Sequence, residues 1–365
     1  MDIKPDIAVI GGGPAGLTAA KAAADAGADV LVLERDPHPG GQLVKQTHKF
    51  FGSEQQYASV RGIEIARRLS DMISEHPKID VWTDAAVLGL YEDGVITVDD
   101  AGRYTKVRPE RIIVATGASE KFISFPNNDL PGVFGAGAVQ TMMNVYGVRP
   151  GHRVLMVGSG NIGLIVSYQL LQAGVAVAAV VEGLPVIGGY AVHASKIRRA
   201  GVPILTRHTI VRADGSDAVE TATIAEINAA WRVLPGTERT IPCDVICIAV
   251  GLSPLADVLW QAGVTMRYVG ALGGYVPVRD EHMRTTHERI FVAGDVTGIE
   301  EASVAMVEGR LAGLEAAASL GYVADDMASI RSACLEQLAA LRAGPAGEKI
   351  RHGLAHCLRE EVDHA

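Results

Sequence analysis

The sequence has only four cysteines in 365 residues, and no two of them stand in a Cys-x-x-Cys spacing. That usage fits a reducing, cytoplasmic compartment, and no metal centre is expected from it. Basic clusters are also missing. The longest are pairs such as Arg67-Arg68 and Arg198-Arg199, and the formal net charge is −9 with a pI ≈ 5.7. Nucleic-acid binding relies on Lys and Arg gathered on one face, so no such partner is expected. No apolar run approaches the roughly 20 residues of a membrane span. The first residues, MDIKPD, lead straight into a strand and a glycine loop, so no signal peptide is expected either. What is present is ordinary globular material, 48% hydrophobic and 21% charged, in a chain long enough for two domains.

Its 41 glycines gather into loops. An apolar run over 7–10 ends in Gly11-Gly12-Gly13-Pro14-Ala15-Gly16. A small-residue helix over 17–26 is expected next, then a second apolar run over 30–33 closed by Glu34 and Arg35. Strand, G-x-G-x-x-G turn, helix, strand and acid make a dinucleotide site. Gly11 permits the tight turn, Gly13 lets the backbone approach a pyrophosphate beside Pro14 and Ala15, and Gly16 lets the helix lie close to the strand. Glu34 would accept hydrogen bonds from ribose hydroxyls.

The pattern is written twice. Gly158, Gly160, Asn161, Ile162 and Gly163 follow the run 154–157, and Glu182 ends a strand expected over 175–181. A carboxylate there would bond a free 2′-hydroxyl and repel a 2′-phosphate, which favours NAD over NADP. The tails match as well: Ala115-Thr116-Gly117 and the Ala-x-Gly ending in Gly251 each close an apolar strand. An internal repeat of two Rossmann-like dinucleotide-binding domains sets the fold class as α/β.

A further strand runs into Gly294-Asp295, and a long small-residue helix begins near Ala302. With these elements in this order, the chain resembles the flavoprotein reductases of the glutathione reductase and thioredoxin reductase type. The resemblance implies two domains of the three-layer ββα type. An FAD-binding domain would be split over 1–120 and 271–325, an NAD(H)-binding domain over 121–270 would be inserted in it, and a helical tail over 326–365 would follow. It also implies that Asp295 bonds the ribityl and pyrophosphate region of FAD. Gly40-Gly41-Gln42 would be the second FAD loop, and the adenine would lie near Val87.

The redox cysteines of those reductases have no counterpart here. GAGAVQTM and GGQLVKQTHKFFG occupy the two neighbourhoods, while Cys243 and Cys247 fall on a strand and Cys334 and Cys357 on the tail's apolar stripes. Buried thiols of that kind are usually inert. The segments Ala115 to Glu120, Asp129 to Val133 and Gly135 to Val139 are similar to a second group of this fold. These are the α-type subunits of sarcosine oxidase, opine oxidase and hydrogen cyanide synthase. That likeness implies one component of an amine or amino-acid dehydrogenase or oxidase, in a hetero- or homo-oligomer, with a small-molecule redox substrate or a partner redox subunit. Two alternatives stay open: a free-standing NADH-dependent reductase of a protein acceptor such as ferredoxin, and a non-catalytic nucleotide-binding subunit.

By the same analogy the reactive candidates lie beside the flavin. Gln42 could bond the flavin edge, while Lys45 or His48 could place positive charge near it, and His48 could act as a general acid or base. Hydride transfer itself asks only for positioning of the two rings. In the tail, Met327, Ile330, Cys334, Leu338 and Leu341 recur at helical spacing. Asp325 or Asp326 could cap that helix, and Gly344-Pro345 should break it.

Overall fold

The computed structural model describes residues 3–50, 54–323 and 326–359. It divides into two compact units, Met1–Ser119 with Ser253–Ala365, and Glu120–Leu252.

The first unit is built on a parallel sheet whose neighbouring strands are Ile290–Val292, Arg111–Val114, Ile7–Ile10, Val30–Leu33 and Ile79–Trp82. Register is unbroken at its centre, with Ile7 opposite Val30 and Arg111, and Ile10 opposite Leu33 and Val114. Both faces are covered, which is why these strands read as continuous apolar runs. Ile7, Val9, Val30, Val32, Ile113 and Phe291 face the helices. The residues between them, Ala8, Ile10, Leu31, Leu33, Ile112 and Val114, pack on the antiparallel meander Ala85–Leu90, Ile96–Asp100 and Arg103–Val107. Helix, parallel sheet and meander are the three layers.

Helix Pro14–Asp25 lies against helix Ala302–Ala318 at very short range. A Cβ on Gly309 would overlap the carbonyl of Ala15, and one on Gly313 the carbonyl of Ala19. The alanine and glycine content of both helices is the sequence's way of permitting that approach. The first helix also begins earlier than expected, with Pro14 in its first turn, where a missing N–H costs nothing.

The second unit repeats the plan. Its sheet runs Ile204–Thr206, Ala176–Glu182, Arg153–Val157, Val245–Ile248 and Val133–Gly135, and its meander is His208–Asp214, Thr221–Glu226 and Arg239–Pro242. Val154, Met156, Val180 and Cys247 face the helices. Leu155, Val157, Val181 and Ile248 face the meander.

Two boundaries differ from the sequence reading. The first unit resumes at Ser253 rather than at residue 271. Ala256, Leu259, Ala262 and Val264 bury into its meander-side core, which draws the intervening segment with them. The tail also belongs to this unit. Helix Met327–Leu341 places Cys334 and Leu338 in the helix-side core, and Leu354 and Cys357 pack on Leu272 and Val276. As expected, the first tail helix does not continue through Gly344-Pro345, and that pair opens the next one, Gly344–Leu354. Asp326 occupies the cap position of Met327–Leu341 without a capping side-chain bond, and Asp325 lies outside the described residues.

Candidate nucleotide sites

Strand Ile7–Ile10 in the first unit and strand Arg153–Val157 in the second each end in a turn whose three glycines serve different ends. A Cβ on Gly11 would overlap the carbonyl of Ala115, and one on Gly16 the carbonyl of Gly11. Gly158 against Ala249 and Gly163 against Gly158 repeat this. Gly11 and Gly158 also hold φ of +104 and +110, in the region that favours glycine. The middle glycines are another matter. The nearest atom to a Cβ on Gly13 is the Gly41 Cα at 3.8 Å, and Gly160 has no neighbour within 4 Å. There the missing side chain leaves open space at the first turn of Pro14–Asp25 and of Asn161–Gln172. Unpaired N–H groups and the positive end of the helix dipole converge on that space, which suits a pyrophosphate.

The two acids brace these turns. Glu34 accepts the Gly12 N–H on Oε2 and the Asp36 N–H on Oε1, both at 2.8 Å. Glu182 accepts the Ser159 N–H at 2.9 Å and its hydroxyl at 2.7 Å on Oε2, and the Leu184 N–H at 2.9 Å on Oε1. Carboxylate oxygens accept more than one bond, so both acids keep capacity for ribose hydroxyls. Burial pushes the Glu34 carboxyl up, against the two backbone N–H groups that favour its charge.

A second glycine pair closes on each turn. Gly40 donates its N–H to the Gly12 carbonyl at 2.7 Å, and Gly189 to that of Ser159 at 2.8 Å. The pair Gly188-Gly189 was missed by sequence reasoning, although it follows Glu182 at the spacing by which Gly40-Gly41 follows Glu34.

Gly294 and Asp295 lie on a buried charge network of the first unit. Glu308, 1% exposed, accepts the Gly294 N–H and the Thr297 hydroxyl on Oε2, both at 3.0 Å. Its Oε1 accepts from Arg279 at 3.1 Å and Arg342 at 2.6 Å, and Arg342 also reaches Glu300 at 2.6 Å. Burial works to raise the Glu308 carboxyl, but the two arginines outweigh it and hold it below its usual range. Asp295 has no such pairing. Burial, reinforced by Glu308 and Glu300, pushes it up to about 7.

Residues 5–309 match the model of the pyridine nucleotide-disulphide oxidoreductases. The chain belongs to that family. It is 31% identical over 342 residues to the A-type subunit of an opine oxidase from Agrobacterium tumefaciens (strain Ach5), covering 89% of this chain and 67% of that one. Against the alpha-type subunit of a sarcosine oxidase from Corynebacterium sp. (strain P-1) it is 26% identical, over 88% of this chain and 33% of that one. The chain thus spans a third of the sarcosine oxidase relative and about two thirds of the opine oxidase one. Among solved structures, T. acidophilum thioredoxin reductase superposes with a TM-score of 0.72 at 21% identity, over 87% of this chain and 99% of that one. As a pyridine nucleotide-disulphide oxidoreductase the chain is an oxidoreductase, with FAD and a nicotinamide nucleotide as its cofactors.

The remaining candidates separate on the structure. Gly41 brings its loop onto the first turn, a Cβ there standing 2.8 Å from the Gly13 Cα. The short 3₁₀ turn Gly41–Lys45 follows, with Gln42 exposed and Lys45 half-buried. His48, also half-buried, stacks on Phe50 with ring centroids 5.6 Å apart. Arg35 is exposed beside Glu34, and Val87 is half-buried, paired with Val98 in the meander. Ala115 is buried, and the Thr116 hydroxyl donates to the Leu255 carbonyl at 2.6 Å. Gly117 and Gly251 hold φ of +74 and +116, and Ala302 is the first residue of its helix. In the second unit Asn161 Oδ1 accepts the Tyr190 N–H at 2.8 Å, and Ile162 is exposed.

Glu120 has a role the sequence did not announce. Its Oε1 accepts the Gly137 N–H at 2.6 Å, at the start of helix Ala136–Asn144, and a Cβ on Gly135 would fall on that carboxylate. Glycine at position 135 makes room for this anchor. All four cysteines of the oxidoreductase are buried and unpaired. Burial raises each thiol, that of Cys243 to about 11. Among the described residues no group of three or more His, Cys, Asp or Glu could hold a metal ion, and no helix is long and apolar enough to cross a membrane.

Proposed function

We propose that the chain is an FAD-dependent oxidoreductase that exchanges hydride with NAD(H) without a redox dithiol, as the α-type subunit of an amine or amino-acid dehydrogenase or oxidase. One observation carries the reading: the same open glycine turn, braced by the same kind of carboxylate, occurs once in each unit. FAD and nicotinamide supply the two-electron chemistry when bound. Everything else falls to the chain's own groups. The first turn, with Glu34 and the Gly-Asp loop, is assigned to FAD, and Gln42, Lys45 and His48 to the flavin edge, where positive charge favours added electrons. The second turn is assigned to NAD, with Glu182 accepting the ribose hydroxyls and repelling a 2′-phosphate.

The thiols do not fit a relay. Nucleophilic sulfur is thiolate sulfur, and burial holds these four in the neutral form. Electrons would therefore leave the flavin for a partner protein, which agrees with relatives that are named as subunits.

Anaerobic titration with NADH tests the reading. The visible flavin band should bleach with NADH and far less with NADPH, and thiol alkylation should leave the reaction unchanged. Co-purification of the untagged chain with an amine-oxidising subunit then supports the complex. A chain that binds FAD yet is reduced by neither nicotinamide nucleotide would overturn it.

A further inference from the structure

The two units repeat each other closely enough that a mismatch between them is informative. Arg35 follows Glu34 in the first unit, whereas Gly183 follows Glu182 in the second. A Cβ on Gly183 would collide with the six-membered ring of Trp231, standing 2.7 Å from its Cη2. The indole occupies the place of the side chain that the second unit lacks beside its acid.

Trp231 comes from the loop between strands Thr221–Glu226 and Arg239–Pro242, and that loop is built to present it. Asn228 Oδ1 accepts the N–H groups of Ala230 at 2.9 Å and Arg232 at 3.1 Å, and the Asn228 carbonyl accepts the Trp231 N–H at 3.0 Å. Ile227 and Val233 bridge the base of the turn. At the tip Trp231 holds φ +59, a left-handed conformation that bulky residues avoid unless their surroundings impose it. Residue Trp231 is nevertheless 63% exposed and belongs to neither buried core of its unit. A large apolar ring held on a braced, unfavourable turn with an open surface is not explained by packing.

We propose that Trp231 is the stacking platform for the adenine of the dinucleotide bound by the second unit; this rests on the reading of that unit as an NAD site. A ribose whose 2′-hydroxyl bonds Glu182 carries its base on the adjacent carbon, so the base lies within a residue of the acid. The flat apolar surface on the residue after Glu182 is the indole. Aromatic stacking on a base is indifferent to the base's edges, which suits a site where Glu182 already reads the sugar.

The test uses the full chain saturated with FAD, titrated with ADP-ribose and separately with nicotinamide mononucleotide, which has no adenine. ADP-ribose should quench tryptophan fluorescence in the wild type. In Trp231→Phe, which keeps Trp82 and Trp260, the quench should vanish while affinity stays close to wild type. Trp231→Ala should weaken ADP-ribose by about ten-fold, the order expected for one lost base stack, and leave nicotinamide mononucleotide unchanged. If Trp231→Ala binds ADP-ribose as tightly as the wild type, the stacking role falls and the NAD site stands. If the wild type binds no ADP-ribose at all, both fall together.

Discussion

Asp295 sits among negative charges that its neighbours only partly offset. It takes an N–H bond from Glu300 at 3.4 Å, and Glu300 and Glu308 both add to the burial that pushes it up to about 7. A carboxyl raised in this way keeps its proton in the folded chain between its ordinary value of 3.8 and about 7, where the unfolded chain has lost it. Its contribution to stability therefore falls as pH rises across that window and is level outside it. The same titration bears on ligand binding. A pyrophosphate is anionic, so the first site should hold FAD more tightly when Asp295 is neutral. Dissociation constants of FAD at pH 6 and pH 8 check this: affinity should drop at the higher pH, and Asp295→Asn should flatten the difference. An affinity that rises with pH in the wild type would exclude the assignment.

Among the elements, the tail helix Met327–Leu341 has the least obvious purpose, and its consequence lies just past its end. Arg342 inserts between Glu300 and Glu308, 11% exposed, and thereby ties the tail to the residue that holds the Gly294 N–H. Removing one member of a buried pair leaves its partner's charge uncompensated, which costs about 3–5 kcal/mol. Arg279 stays on Glu308, so Arg342→Met should sit near the lower end, read as a shifted urea midpoint. Adding Glu300→Gln should recover part of the loss, because one of the stranded charges is then removed. Additive losses in the double variant would mean that the two residues are not coupled.

This element also marks where sequence reading stops. Strands such as Ile7–Ile10 and Val30–Leu33 were legible because burial on both faces leaves an unbroken apolar run. Helix packing was half legible: the small residues of Ala302–Ala318 were visible, but not that Gly309 and Gly313 meet the carbonyls of the first helix. Arg342 and Glu308 were illegible. A charged residue on a helical stripe looks solvated unless its distant partner is known, and here the partners come from another helix and loop. Glu120 and Trp231 were hidden for the same reason, since each acts on backbone remote in sequence.

At the scale of the molecule, the repeat was the most legible feature, because glycine spacing is a local demand of the turn that uses it. Its limit was the return to the first unit, placed too late because nothing in the stretch from strand Val245–Ile248 to Gly251 signals that Ala256 and Leu259 bury in the other core. The two units have separate cores and separate turns, so their ligands should be separable by mutation. Gly11→Ala puts a side chain on a left-handed residue and into the Ala115 carbonyl, and Gly158→Ala does the same against Ala249. Strain of this kind costs on the order of 1–3 kcal/mol and must be relieved by moving the turn. Gly11→Ala should purify without the yellow flavin band yet still bind ADP-ribose at its second site. Gly158→Ala should keep stoichiometric FAD and lose ADP-ribose and reduction by NADH. Absorbance per chain and calorimetric titration read the two quantities independently. Loss of both ligands in either variant would show that the turns are not independent, and the chain would then have to be treated as one cooperative nucleotide site.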